Sequence, residues 1–391
     1  MNFLIIRNIL IIYLLIIFTT ISSAIVTAQN RTIVLPYEMI AGKMVVKMEI
    51  NGKEERLFFD TGAGNSAFSW EYIQINGLNI VDSISVTDVS SRTMVYMQVK
   101  IDSITTSDRS LLFQNFKALV IPESSPLKCY NVIGIIGSDL LEQTLCTINP
   151  QEKSITISLL DKPLNEYARY SHNFSVNGNL PIFQIQINGE FINVLFDTGS
   201  SSFINLKRSD YESLKEQNLV TIIKKGFGSH SIGLSGKEAV DSSYRIFIPN
   251  LKIGPVKVSA AISEIENVPV TLLGARILQY AKVIINYPRK RLYIIPFSND
   301  IIRLEYKFPN FGITVKEGQL VIADIWDRLL NKFSVGDVIT HVNGKPSGRY
   351  DFCDIIKGVD ILKGDEAKMV TIRTKEGKII EEIYQYEFLN L

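Results

Sequence analysis

The chain reads as mainly β, built by an internal duplication and followed by a small C-terminal α+β unit. Three observations carry that reading. Short alternating or continuous apolar runs separated by turn residues recur between residues 31 and 297, the period-two signature of strands. The tripeptide Asp-Thr-Gly occurs twice, as Asp60-Thr61-Gly62 and Asp197-Thr198-Gly199, each straight after an apolar run ending in Phe-Asp. The composition then changes after residues 296–303, where a new set of strand-like segments begins.

In chain order, residues 1–18 are almost wholly apolar around Arg7 and residues 19–23 turn polar and small, the profile of a secretory signal. Val26-Thr27-Ala28 supplies small residues ahead of Gln29, so residues 1–28 are expected to be a signal peptide and the mature chain to be exported, periplasmic or extracellular. Left uncleaved, the same stretch would anchor the chain in a membrane. Because no Cys follows the apolar run, a lipid anchor is not expected.

Residues 29–161 form the first repeat, with strands expected at 44–50, 57–59, 83–86, 95–101, 111–116, 118–121 and 154–159 and a short helix at 138–143. Residues 162–173 are polar and read as a linker. Residues 174–298 repeat the outline, with a counterpart helix at 275–280 and a further helix at 207–217. Asp197 lies 137 positions after Asp60, and the same shift carries Ile50-Asn51-Gly52 onto Ile187-Asn188-Gly189 and Ile135-Ile136-Gly137 onto Leu272-Leu273-Gly274. It also carries Ile148-Asn149 onto Ile285-Asn286, and landmarks sharing one offset indicate duplication. In the C-terminal unit, residues 304–391, Gly336-Asp337-Val338-Ile339 and Val342-Asn343-Gly344 bound a strand, ahead of an apolar helical stretch at 350–356.

Composition excludes several functions. With 41 basic and 40 acidic side chains the net charge is +1, so nothing calls for nucleic acid or an anionic surface. His172, His230 and His341 are scattered without ligand-like neighbours, which argues against zinc, and no cofactor is expected. Cys129 and Cys146 could bridge within the first repeat, but the matching second-repeat positions are Glu266 and Val283, so that bridge is optional. No Gly-x-Ser-x-Gly elbow or Cys with a plausible His partner supports a serine or cysteine hydrolase, and residues 233–237 depart from a phosphate loop at both ends.

An Asp ending a buried strand is costly to ionise unless hydrogen bonds surround it, and the following Thr and Gly supply a hydroxyl and close backbone approach. Two such settings suggest paired carboxylates. The residues Phe59-Asp60-Thr61-Gly62-Ala63 with Ile135-Ile136-Gly137, and Phe196-Asp197-Thr198-Gly199-Ser200 with Leu272-Leu273-Gly274, resemble the aspartic protease clan of pepsin and retropepsins. The resemblance covers residues 29 to about 298. It implies a two-lobed acid-protease β-barrel fold with Asp60 and Asp197 as catalytic dyad and Thr61, Gly62, Thr198, Gly199, Gly137 and Gly274 in support. It further implies peptide or protein substrates and a monomer, each repeat supplying one lobe. Pairing of each repeat with its copy on a second chain is another route to the same dyad, and a catalytically inactive peptide-binding protein of this fold is the alternative function.

Phe311-Gly312-Ile313 together with the Gly336 to Gly344 signature resembles a PDZ domain, implying a bound peptide that recruits substrate or regulates the lobes. The full Gly-apolar-Gly-Phe loop is absent. For the covering flap, Gly226-Phe227-Gly228-Ser229-His230-Ser231-Ile232-Gly233 is rich in Gly, whereas Val89-Ser90-Ser91-Arg92 in the first repeat has none. The Ile- and Lys-rich composition with an export profile is associated with a bacterial source.

Overall fold

The computed structural model describes residues 25–28, 32–87, 93–123, 125–160, 162–174, 178–228, 232–233, 236–237, 240–266 and 268–388. Most of the signal-like stretch, the Val89-Ser90-Ser91-Arg92 segment and Ser229 to Ser231 lie outside these residues. The last part of that stretch, Ile25–Ala28, forms a strand beside Leu111–Ile121, so cleavage before Gln29 would remove one strand from the sheet.

Alternating apolar residues draw Lys43–Ile50 and Lys53–Phe59 into a hairpin that buries Met44, Val46, Met48, Ile50, Leu57 and Phe59. Asn51 and Gly52 close it with φ of 50° and 85°, and Asn188 and Gly189, at 50° and 98°, close the corresponding hairpin Ile182–Ile187 and Glu190–Asp197. Positive φ at both turn positions matches the right-handed twist of the strands, which is why Asn-Gly stands in each. Each second strand then pairs in parallel with a distant segment. Leu57, Phe58 and Phe59 face Gly134, Ile135 and Ile136, while Val194, Leu195 and Phe196 face Thr271, Leu272 and Leu273. Every residue of the second set is its first-set counterpart shifted by the 137 positions that separate the two Asp-Thr-Gly motifs.

The halves share one sheet. Leu145–Asn149 pairs with Ala281–Asn286, flanked by Ser154–Ser158 and Thr32–Ile40 on one side and Arg291–Pro296 on the other. Cys146 faces Ile285, Ile148 faces Val283, and Thr147 faces its own counterpart Ile284, so a local twofold passes through the Thr147–Ile284 pair. Apolar residues of both halves merge into a single core, from Leu57, Phe59 and Ile148 to Phe196, Leu273 and Ile285.

Three expectations change in detail. Residues 162–173 are more than a linker: Asn165–Tyr170 is a 3-10 turn and Ser171–Asn173 is an edge strand beside Arg291–Pro296. The second half runs past residue 298, because Ile301–Arg303 pairs with Val256–Ser259, and Leu304 and Tyr306 enter the shared core. The optional Cys129–Cys146 bridge is not the one that forms. Cys129 bonds to Cys353 of the C-terminal unit, and Cys146 is free and buried. Cys146 lies within the joining strand Leu145–Asn149, whereas Cys129 sits in the turn Pro126–Tyr130, next to the helix that carries Cys353.

The C-terminal unit has its own core of Phe311, Leu320, Ile322, Ile339, Val370 and Ile372. Its helix Phe352–Lys357 starts at a capping box in which Asp351 and Asp354 accept from each other's backbone N–H at 3.0 and 2.7 Å. Asp337 is buried because its carboxylate accepts from the backbone of Ser334 at 2.7 Å and Lys375 at 3.1 Å. Phe311-Gly312-Ile313 is not an open loop but the start of strand Phe311–Lys316, paired with Gln319–Trp326. The other edge of Gln319–Trp326 pairs with the glycine-rich strand Thr221–Gly228, Gly226 facing Trp326 and Phe227 facing Ile325.

Candidate active site

Both Asp-Thr-Gly motifs lie at the carboxyl ends of their strands and meet at the interface of the two halves. The threonines interlock. Thr61 Oγ1 donates to the Phe196 carbonyl at 2.8 Å and accepts from Thr198 N at 3.1 Å, while Thr198 Oγ1 donates to the Phe59 carbonyl at 2.8 Å and accepts from Thr61 N at 3.0 Å. Both residues are wholly buried, so these four bonds are the way their polar groups are satisfied.

The carboxylates face each other over this brace. Asp60 Oδ1 accepts from Gly62 N at 2.9 Å and Ala63 N at 3.2 Å, and Asp197 Oδ1 accepts from Gly199 N at 2.7 Å. A Cβ on Gly62 would stand 2.4 Å from Asp197 Cγ, and one on Gly199 would stand 2.4 Å from Asp60 Oδ2. Only glycine lets each loop pass the opposite carboxylate. Gly137 and Gly274 do the same for the neighbouring strand ends: a Cβ there would lie 2.8 Å from the Ala63 carbonyl and 2.3 Å from the Ser202 carbonyl. All eight residues named from the sequence therefore converge on one place.

Asp197 is 5% exposed, and burial first and the Asp60 charge second push its carboxyl well above the ordinary carboxylate range. Two carboxyls this close cannot both ionise cheaply, so the Asp60 charge favours the protonated form of Asp197. Such a pair presents a base and an acid side by side.

Five further residues, Ser66, Ser138, Asp139, Tyr287 and Lys43, were not legible. Ser138 Oγ donates to the Thr61 carbonyl at 2.8 Å and lies 3.2 Å from the Tyr287 hydroxyl. Asp139 accepts from Ser66 N and Oγ at 2.9 and 2.7 Å, and Gly137 N donates to Ser66 Oγ at 3.0 Å, which ties the glycine strand to the loop after Asp60. Burial holds the Asp139 carboxyl above its ordinary range, against the pull of those hydrogen bonds. Lys43 Nζ donates to the Gly199 carbonyl. The repeat could not reveal these side chains, because the shift of 137 replaces Ser138, Asp139 and Lys43 by Ala275, Arg276 and Leu180.

His172 and His341 stand apart from the site. His172 is packed against Phe183 with ring centroids 5.0 Å apart, and burial lowers its pKa to about 4. His341 Nδ1 lies 3.1 Å from Thr340 Oγ1 in the C-terminal unit, and His230 is outside the described residues. Among the described residues no cluster of three His, Cys, Asp or Glu is placed to hold a metal ion.

Residues 46–140 match the family model described as aspartyl protease. That segment contains Asp60 and Gly137 and supports an aspartyl protease. No curated protein matches the chain.

Proposed function

We propose that the chain is an exported aspartic endopeptidase whose halves are the lobes of a duplicated acid-protease fold, with Asp60 and Asp197 as its dyad. The reading rests above all on the reciprocal approach of each motif glycine to the opposite carboxylate, 2.4 Å from a would-be Cβ in both directions. The ionised carboxyl takes a proton from a water held between the pair, and the water oxygen attacks the scissile carbonyl carbon. The protonated carboxyl donates to the carbonyl oxygen as it gains charge. Collapse of the tetrahedral intermediate breaks the C–N bond, with a proton passing from the dyad to the leaving amine. No cofactor enters these steps. One chain supplies both carboxylates, so a monomer suffices.

In this reading the C-terminal unit is a PDZ-like module with a peptide ligand of its own, and its role is regulatory. Pairing of its strand Gln319–Trp326 with the glycine-rich strand Thr221–Gly228 favours that role over simple recruitment, because the same Gly226-Phe227-Gly228 segment leads into the second-repeat flap.

The test is hydrolysis of a mixed peptide library by purified residues 29–391 between about pH 3 and 8, a range bracketing the titration of a carboxyl pair. Cleavage is expected from the wild type and from neither Asp60→Asn nor Asp197→Asn. Cleavage retained by either variant overturns the two-carboxylate mechanism; a wild type inert at every pH supports the peptide-binding alternative.

A further inference from the structure

Lys43 opens the strand Lys43–Ile50 directly after the turn residues Ala41 and Gly42, whose φ values are 46° and 78°. This turn belongs to the first half but packs on the Asp-Thr-Gly loop of the second. A Cβ on Gly42 would lie 2.9 Å from Ser201 Cβ, and Lys43 Nζ donates to the Gly199 carbonyl. Gly199 N donates in turn to Asp197 Oδ1 at 2.7 Å. The half-buried ammonium therefore grips, from the other lobe, the peptide that holds the more buried carboxylate.

The matching position lacks that charge. The shift of 137 puts Leu180 opposite Lys43, and the Leu180 side chain lies against Gly64 of the first motif loop, 3.8 Å from a would-be Cβ. A site with near-twofold backbone symmetry thus carries one cation and one isobutyl group in equivalent places. On the side of Asp60 the titratable groups are Tyr287, bonded to Ser138, with Asp139 and Cys146 near it. Burial pushes the Cys146 thiol up to about 12 and the Tyr287 hydroxyl above its ordinary range, so neither supplies charge at working pH. Among the described residues Lys43 is the cation that acts on Asp197.

We propose that Lys43 is a positioning residue for the dyad: its ammonium, seated on the Gly199 carbonyl, stabilises the singly ionised carboxyl pair and places the working pH range lower than burial by itself would set it. The inference rests on the aspartic peptidase reading. A cation near a carboxyl pair favours each loss of a proton, so without it both limbs of a bell-shaped pH profile move to higher pH.

Two measurements test this. In the first, kcat/KM is followed against pH for wild type, Lys43→Met and Lys43→Arg. Lys43→Met is expected to move both limbs up by about one pH unit, while Lys43→Arg, which keeps the charge, leaves them within a few tenths. Unmoved limbs in Lys43→Met, or equal shifts in both variants, overturn the proposal. A KM increase confined to acidic peptides with unmoved limbs also overturns it, assigning Lys43 to substrate binding instead.

The second measurement needs no hydrolysis. The difference in Tm between the wild type and Asp197→Asn is followed against pH, with and without Lys43→Met. The interval over which that difference grows is expected to extend to higher pH in the Lys43→Met background, and an unchanged interval counts against Lys43. A wild type that cleaves nothing defeats the peptidase reading, while this titration still decides the role of Lys43.

Discussion

Thr198 and Asp197 are adjacent in sequence yet constrain stability in opposite ways. Thr198 is buried with every polar group paired, so Thr198→Val keeps the shape and strands Thr61 N and the Phe59 carbonyl without partners. Each buried group left unpaired costs about 1–3 kcal/mol. Chemical denaturation of Thr198→Val should show a loss of about 2–6 kcal/mol for the two groups together, with weakened hydrolysis as the carboxylates lose their common brace. Asp197 instead carries a burial penalty. Its folded pKa is raised to about 8, so the native state keeps a proton that the unfolded chain releases near 3.8. The associated stability is complete below the unfolded value and is lost as the pH rises through the folded one. Asp197→Asn cannot ionise, so thermal unfolding should find it no more stable than wild type at acid pH, and progressively more stable as the pH rises from about 4 to about 8. A constant difference across that interval would show that Asp197 ionises freely.

At the level of elements, the strand Thr221–Gly228 is held on both edges. Asp241–Ile248 pairs along one and Gln319–Trp326 along the other. Gly226 lies beneath the Trp326 ring, where a Cβ would be 2.6 Å from Cε3. Arg245, next in the sheet, is sandwiched between the Phe308 and Trp326 rings at 4.0 and 3.9 Å and ion-paired with Glu264 at 2.9 Å. Stacking a desolvated guanidinium on two aromatic faces is worth about 2 kcal/mol or more, which makes this joint firmer than a strand edge alone. Gly226→Val should push Trp326 away and open the joint locally. Amide exchange is then expected to quicken at residues 226–228 and 324–326 while the Thr61–Thr198 region stays protected. Unchanged exchange would mean that the Trp326 ring moves aside without breaking the strand pairing.

Across the molecule, two attachments hold the C-terminal unit among the described residues. One is the strand joint with the second half, and the other is Cys129–Cys353, which closes a loop of 224 residues back to the first half. Cross-links over long loops are worth about 2–5 kcal/mol, by restricting the unfolded chain in the chain-entropy account. Cys353→Ser should therefore lower Tm under oxidising conditions to the value of the reduced wild type. Equal Tm for oxidised wild type and variant would show that the bond adds no stability. Cys146 takes no part, because it is enclosed in the sheet that joins the halves.

The sequence by itself determined the strand-rich character, the paired Asp-Thr-Gly motifs, the Asn-Gly turns and the distal glycines, because these depend on local rules. Period-two burial, positive φ and close backbone approach leave a mark on a few neighbouring residues at a time. The repeat distance of 137 extended that legibility to the register of strands far apart, since equivalent positions must satisfy the same packing. What breaks the repeat was decided only by tertiary structure. Lys43 on the Gly199 carbonyl, Asp139 on Ser66, Tyr287 beside Ser138 and Cys129 bonded to Cys353 each depend on which surfaces meet. A charge or thiol at one position carries no local trace of a partner that folding brings to it from a distant part of its own half, from the other half or from the C-terminal unit.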